Sequence, residues 1–332
     1  MLSKVFAGKQ KKSLKPLMRF CSSEADPDPY QILRLNRYDA QSRAEGGTRY
    51  RGVTAMTIEQ SRDPKQFSAF ELSGWEANIR GYDSAFGAVA RQTVVPMLDA
   101  ARVTSGMKVL DICCGPGVLA AGALERGAEV IGLDFSAQAV ELARRLVSKG
   151  RFQQGDAQAL PFPAGSFDAV LCGYGVIHLP EPATAMREML RVLRPGARAS
   201  LSVWDAAGFG FTLVYEAVRA RGSMDVALPH GPDFFQLGSP ERMQAALAEA
   251  GFADATAYSF DQDWHVANAD RYIESILTGT VRARAVLAAQ TGDAAVGVRS
   301  YIANYLNRFR SSAGELVVPM PAIIGSGTRL SS

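Results

Sequence analysis

Three aspartates stand where apolar runs give way to turns. Asp111 ends the core of KVLDI, Asp134 closes AEVIGLD, and Asp156 closes RFQQGD. After the first comes Gly115-Pro116-Gly117, a glycine turn that opens a helix. A strand, a glycine turn and a helix, with an acid at the end of the next strand, is a plan used to bind nucleotides. Charge separates the ligands such a turn would accept. A pyrophosphate would rest on the turn, where helix N–H groups favour an anion, and Asp111 would repel it. Three carboxylates around one site favour a ligand that carries positive charge.

Bringing these residues together requires a parallel sheet, and the chain supplies the pattern for one. From Lys108 the strands KVLDI, AEVIGLD, RFQQGD, FDAVLCG and ARASLSVWD alternate with helical segments. VLAAGALERG stops at Gly127, AQAVELARRLVSKG follows the capping Ser136, and ATAMREMLRVLRPG ends at Pro195-Gly196. Such alternation implies a parallel sheet with helices on both faces. In an open sheet of this kind the carboxyl ends of the strands share one ligand-binding edge. Residues 56–106 read as N-terminal helices of a cap, anchored by Trp75, Tyr82 and Phe86. The core runs over 107–265, with an insert near 206–238 and ADATAYSFDQDWHV as strand six. A helical lid insert is expected over 266–312, and a last strand, ELVVPMPAIIGSG, within 313–332.

VLDICCGPG, VIGLDFS, GDAQALPFPAGSFDAVLCGYGVIHL and REMLRVLRPGARASLSVW, in that order, resemble the class I S-adenosylmethionine (SAM)-dependent methyltransferases. The resemblance covers about residues 75–260 and is nearest to the small-molecule group that includes ubiquinone/menaquinone-type enzymes. It implies a Rossmann-like, mostly parallel sheet of seven strands with helical lid insertions, and SAM as cofactor. SAM carries a sulfonium, an ammonium and one carboxylate, so its net charge suits the acidic site. The resemblance also implies roles. Asp111 and the Cys113–Gly117 backbone, with Gly115 and Gly117, would hold the methionine end. Asp134 would take the ribose hydroxyls, and Phe135 would lie against the adenine. Asp156 would accept from the adenine amino group, with the Ala157 N–H nearby. Cys172 and Gly173 would pass close to the methionine moiety, and Tyr82 would close over its carboxylate. Cys113 departs from the pattern, because the family most often has glycine there.

Methyl transfer is an in-line displacement that needs alignment in a water-poor site. A base is needed where the acceptor must lose a proton. His178, in CGYGVIHLPEP, is the first candidate, and His265, in DQDWHV, is the second. Tyr174 reads as lining rather than as a base. The inserts carry Phe209, Phe211, Tyr215, Phe234, Phe235, Trp264, Tyr272 and Ile273, which a lid over an apolar acceptor would use. The expected function is methylation of a small apolar or aromatic metabolite, with oxygen slightly ahead of carbon. Quinone-type C-methylation is the alternative within that class. A nicotinamide oxidoreductase and a non-catalytic SAM-binding protein are the alternatives outside it.

Composition sets the remaining bounds. The chain has 332 residues, 47% of them hydrophobic, enough for one large domain with additions. Its formal charge of +3 is uneven. Residues 1–55 hold 11 Lys+Arg against 5 Asp+Glu, a net of +6 that leaves −3 for the rest. That stretch reads as a disordered or non-native tail. The globular part has no basic excess for nucleic acid, so the expected partner is a small-molecule acceptor. No apolar run reaches the ~18 residues of a membrane span, so no membrane partner and a cytoplasmic location are expected. The four cysteines form no disulfide framework. Without a CxxC, and with His178, His230 and His265 scattered, no metal site is expected.

Overall fold

A computed structural model describes residues 63–331. The tail reading of residues 1–55 lies outside the described residues. The first described helix, α1, spans Pro64–Gln92. Asp63 caps it by accepting from the backbone N–H groups of Lys65 (2.9 Å) and Gln66 (3.3 Å), with Pro64 in the first turn. Its buried stripe includes Phe67, Glu71, Asn78, Ile79, Phe86 and Val89. Thr93 ends α1, and a short α2 follows at Val94–Ala100.

The core then alternates: β1 Lys108–Ile112, α3 Val118–Glu125, β2 Glu129–Asp134, α4 Ala137–Leu146 and β3 Arg151–Gln154. It continues with β4 Phe167–Gly173, a 3-10 turn at Val176–His178, α5 Pro182–Val192 and β5 Leu193–Trp204. The outer part holds α6 Phe209–Arg221, α7 Pro240–Glu249, β6 Ala253–Phe260 and β7 Asp263–Val266. Three cap helices follow, α8 Ala269–Gly279, α9 Arg282–Ala288 and α10 Gly292–Leu306, and then β8 Leu316–Pro319 and β9 Ala322–Thr328.

Seven strands form one sheet in the order β3-β2-β1-β4-β5-β9-β6. All neighbours pair in parallel except β9, which runs antiparallel to both β5 and β6. This is the Rossmann-like, mostly parallel sheet of the class I methyltransferases. The chain winds outward from β1 in one direction and from β4 in the other, so the crevice between them is the switch point where ligands collect. Alternate residues of β1 supply two cores. Val109 joins the cluster with Ala123 and Leu171, while Leu110 and Ile112 join the cluster with Val170 and Ile177.

Two elements differ from the sequence reading. Strand six is broken at Asp261-Gln262, and the last strand is broken at Met320-Pro321. Pro321 has no N–H to continue the ladder. Across the break the Met320 N–H donates to the Gln262 carbonyl (2.9 Å), and β7 and β8 leave the main sheet as a separate antiparallel pair. The helical insert expected over 266–312 holds three helices within 269–306.

Helix α1 crosses α8 at very short range. A Cβ on Gly81 would lie 2.0 Å from the Thr278 carbonyl oxygen, and Gly279 lies on the facing helix. Gly81→Ala must therefore push the helices apart, at a cost of roughly 1–3 kcal/mol. A lower midpoint in chemical denaturation checks this, and an unchanged midpoint would contradict the tight crossing.

Candidate functional site

A cleft of about 970 Å³, mouth included, opens at the carboxyl ends of β1, β2 and β4 beneath α1. The loop after β1 forms its floor. Cys113 (φ +51°), Gly115 (φ +51°) and Gly117 (φ +85°) are all left-handed, so the chain folds tightly between strand and helix. The Cys113 side chain has room there because Gly175 stands opposite. A Cβ on Gly175 would fall 2.2 Å from that of Cys113.

Two backbone donors at this turn and the helix start after it are taken by the chain's own carboxylates. Asp134 Oδ2 accepts from the Gly115 N–H (2.9 Å), and its Oδ1 accepts from the Ser136 N–H (2.9 Å). Asp111 Oδ2 accepts from the Ala120 N–H in the first turn of α3 (3.1 Å). The Gly117 N–H is bound to the Cys114 carbonyl, and Pro116 has none. An incoming phosphate would meet two carboxylates beside the helix start. Asp111 Oδ1 is buried in the cleft wall, and among the described residues it has no hydrogen-bond partner. Burial pushes the Asp111 carboxyl up to about 8, against the pull of the Ala120 N–H and with help from Asp134. Burial likewise raises Asp134 to about 6, opposed by the Ser136 and Gly115 N–H groups. Both groups therefore gain from a bound cation.

Of the residues singled out in the sequence, Tyr82, Asp111, Cys113, Gly115, Asp134, Phe135, Ala157 and His178 line this cleft. Gly117, Asp156 and Cys172 do not. Gly117 is spent on the helix start, with Val147 and Phe152 packed 3.0–3.4 Å from where a Cβ would stand. Cys172 is fully buried in β4. Asp156 is exposed in the turn after β3, where its Oδ1 accepts from the Gln158 N–H (2.8 Å), while Gly155 and Ala157 on either side line the cleft. The thiols act as packing groups. A hydrogen bond with Cys172, then burial, raises the Cys113 thiol, and burial raises that of Cys114.

The far end of the cleft is aromatic: Trp75, Tyr82, Tyr174 and Trp204. Tyr174 stacks on Trp204 at 4.0 Å, and its hydroxyl donates to Gln262 Oε1 (3.1 Å). The eight insert residues expected to line a lid lie elsewhere. Phe209 packs on Tyr305 and Phe309, and Trp264 on Phe86 and Tyr272. They are the core of the added helices, because burying one another's rings leaves less apolar surface in water than facing an open cleft. His265 also lies elsewhere, exposed on β7 beside Glu315 (3.2 Å).

A methyltransferase-domain family model matches residues 110–201, from β1 to β5. The chain is 37% identical over 132 residues to a demethylmenaquinone methyltransferase of Renibacterium salmoninarum, covering 40% of this chain and 56% of that protein. It is 35% identical over 175 residues to the Thermus thermophilus protein of the same name, covering 47% of this chain and 79% of the relative. The chain belongs to the SAM-dependent methyltransferases of the ubiquinone/menaquinone type. It spans only about half the length of several curated relatives it matches. In fold it is similar to the phosphoethanolamine N-methyltransferase 2 of Haemonchus contortus (TM-score 0.50, 19% identity, 80% of this chain and 60% of that one). The cofactor of this methyltransferase family is SAM. The orphaned Asp111 Oδ1 fits it, since a buried acceptor without a donor calls for a ligand N–H or a cation.

One buried carboxylate in contact with a cleft residue escaped the sequence reading of this methyltransferase. Glu71 of α1 is fully buried, and its Oε2 lies 3.0 Å from His178 Nδ1. A sequence signal existed. Glu71 falls in register with Phe67 and Asn78 on the buried stripe of α1, and a carboxylate there needs a partner.

Among the described residues, no helix is long and apolar enough to cross a membrane.

Proposed function

We propose that the protein transfers a methyl group from SAM to a small, largely apolar acceptor, and that the acceptor is methylated on a ring carbon of a quinol-like nucleus. The observation that carries this reading is the pair of buried carboxylates at the glycine turn, Asp134 on the Gly115 N–H and Asp111 on the Ala120 N–H, beside an aromatic cleft. That arrangement disfavours a dinucleotide and suits a cation next to a flat apolar molecule. The names of the relatives support carbon over the O-methylation that the sequence put first.

In this proposal Asp111 and the Cys113–Gly117 backbone hold the methionine end, with Tyr82 over it. Asp134 takes the ribose hydroxyls, and Phe135 and Ala157 border the adenine. When bound, SAM supplies an electrophilic methyl group on a sulfonium that becomes a neutral thioether. The chain's part is to orient, to exclude water through α1 and the aromatic wall, and to take a proton from the acceptor hydroxyl on His178. A quinol that loses a hydroxyl proton gains electron density at its ring carbons, and the carbon that takes the methyl then gives up its own hydrogen as a proton, which returns to the oxygen and restores the ring.

The test is incubation with methyl-labelled SAM and a reduced 1,4-naphthoquinone probe, followed by mass analysis. A label on a ring carbon supports the proposal. A label on oxygen restores the first expectation. Binding of SAM with no turnover on any quinol or phenol would favour the non-catalytic alternative. Asp134→Ala should also weaken SAM binding by about 1–3 kcal/mol, the cost of stranding buried donors. An unchanged affinity in calorimetric titration would remove the ribose assignment.

A further inference from the structure

We infer that Glu71 is a positioning residue that fixes the tautomer of His178 and aims its Nε2 as a base, and that Arg282 ties this pair to the cap. The inference rests on the methyl-transfer reading.

Glu71 is buried, with 0% of its side chain exposed, yet it is surrounded by donors. Its Oε2 faces His178 Nδ1 at 3.0 Å and accepts from Trp75 Nε1 at 3.2 Å. Its Oε1 lies 3.0 Å from Arg282 Nε of α9, with the N–H off line, so this contact is an ion pair and not a hydrogen bond. The Arg282 guanidinium is held between Phe67 (5.4 Å) and Phe234 (4.8 Å) and donates to the Pro232 and Ile177 carbonyls. A carboxylate paired with arginine stays ionised and only accepts. His178 Nδ1 must then carry the hydrogen. Nε2 is left with its lone pair, and among the described residues it has no partner. His178 lines the cleft, and Trp75 packs edge-on against its ring at 4.9 Å.

Base, orienting carboxylate and reactive edge thus form the arrangement by which a buried acid prepares an imidazole to take a proton. In the step, the acceptor O–H bond breaks, its electron pair stays on oxygen, and the proton forms a bond with Nε2. The resulting imidazolium keeps its Nδ1–H on Glu71, which stabilises the added charge. Glu71 comes from α1, His178 from the turn after β4 and Arg282 from the cap, so the packing of the cap on α1 sets the base.

The chain has three histidines, so nitrogen-15 NMR of the imidazoles can be assigned by single substitutions. In the wild-type protein at mildly alkaline pH, His178 should show protonated Nδ1 and bare Nε2. Glu71→Gln should mix the two tautomers, because an amide both donates and accepts. It should lower kcat about 100-fold on the reduced naphthoquinone probe while KM for SAM stays within about twofold. A wild-type His178 protonated on Nε2 overturns the inference whether or not the variant folds. So does a Glu71→Gln protein with unchanged tautomer and kcat. Calorimetric titration of the same wild-type sample with SAM separates the two levels. Lack of SAM binding would reject the methyl-transfer reading, whereas a wrong tautomer with normal SAM binding rejects only the role of Glu71.

Discussion

His178→Ala lowers turnover by about 10²–10⁴-fold and leaves the affinity for SAM within about twofold. The imidazole sits on the turn at Val176–His178, and it makes none of the hydrogen bonds by which Asp134 and Asp111 hold the glycine turn and the start of α3. Its loss removes a proton acceptor and leaves the cofactor's anchors in place. Glu71 keeps the Trp75 Nε1–H and the Arg282 guanidinium, so the buried carboxylate is not stranded and the fold persists. Initial rates at saturating SAM with the reduced naphthoquinone, alongside a thermal melt, measure both arms. Full turnover in the alanine variant would show that the acceptor needs no base.

Asp111→Asn stabilises the cofactor-free protein and weakens its hold on SAM. The Asp111 carboxyl is raised from an ordinary 3.8 to about 8 by burial. Between those values the folded protein binds more protons than the unfolded chain, so this group's contribution to stability is full below about pH 4 and is lost as pH rises through 8. Asp134, raised to about 6, acts with the same sign over a narrower window. An amide at position 111 never ionises. The gain at pH 7 is therefore on the order of 4 kcal/mol, smaller at pH 5 and level above pH 8. Melting temperatures of the two apo proteins across pH 5–9 check this. Parallel curves would mean that Asp111 does not carry the burial penalty. In the same range SAM affinity of the wild type should rise with pH, and the variant should lose that slope.

The ligand edge was legible in the sequence because a parallel sheet needs few signals. Apolar runs set the strands, glycines and Ser136 set the helix limits, and the winding brings Asp111 and Asp134 to neighbouring strand ends. Asp156 was placed by the same logic but falls in the turn beyond Gln154, where capping its own backbone competes with reaching the cleft. The insert aromatics show where reading one chain segment at a time stops. Periodicity reveals that α6 and α8 have apolar faces, not that Phe211, Trp264 and Tyr272 meet one another through Phe86 and Trp204. Glu71 was missed for a related reason. Its partners His178 and Arg282 lie more than 100 residues further along the chain, and only folding brings three such groups into register.

The central claim is that buried carboxylates at the sheet edge select a cationic cofactor. Calorimetric titration at pH 7 in two buffers of different ionisation heat tests it directly, with SAM and NAD run in parallel. SAM should bind and release about one proton per site, since pairing with a cation ionises Asp111, and NAD should give no heat. NAD binding in place of SAM, or SAM uptake without proton release, would contradict it.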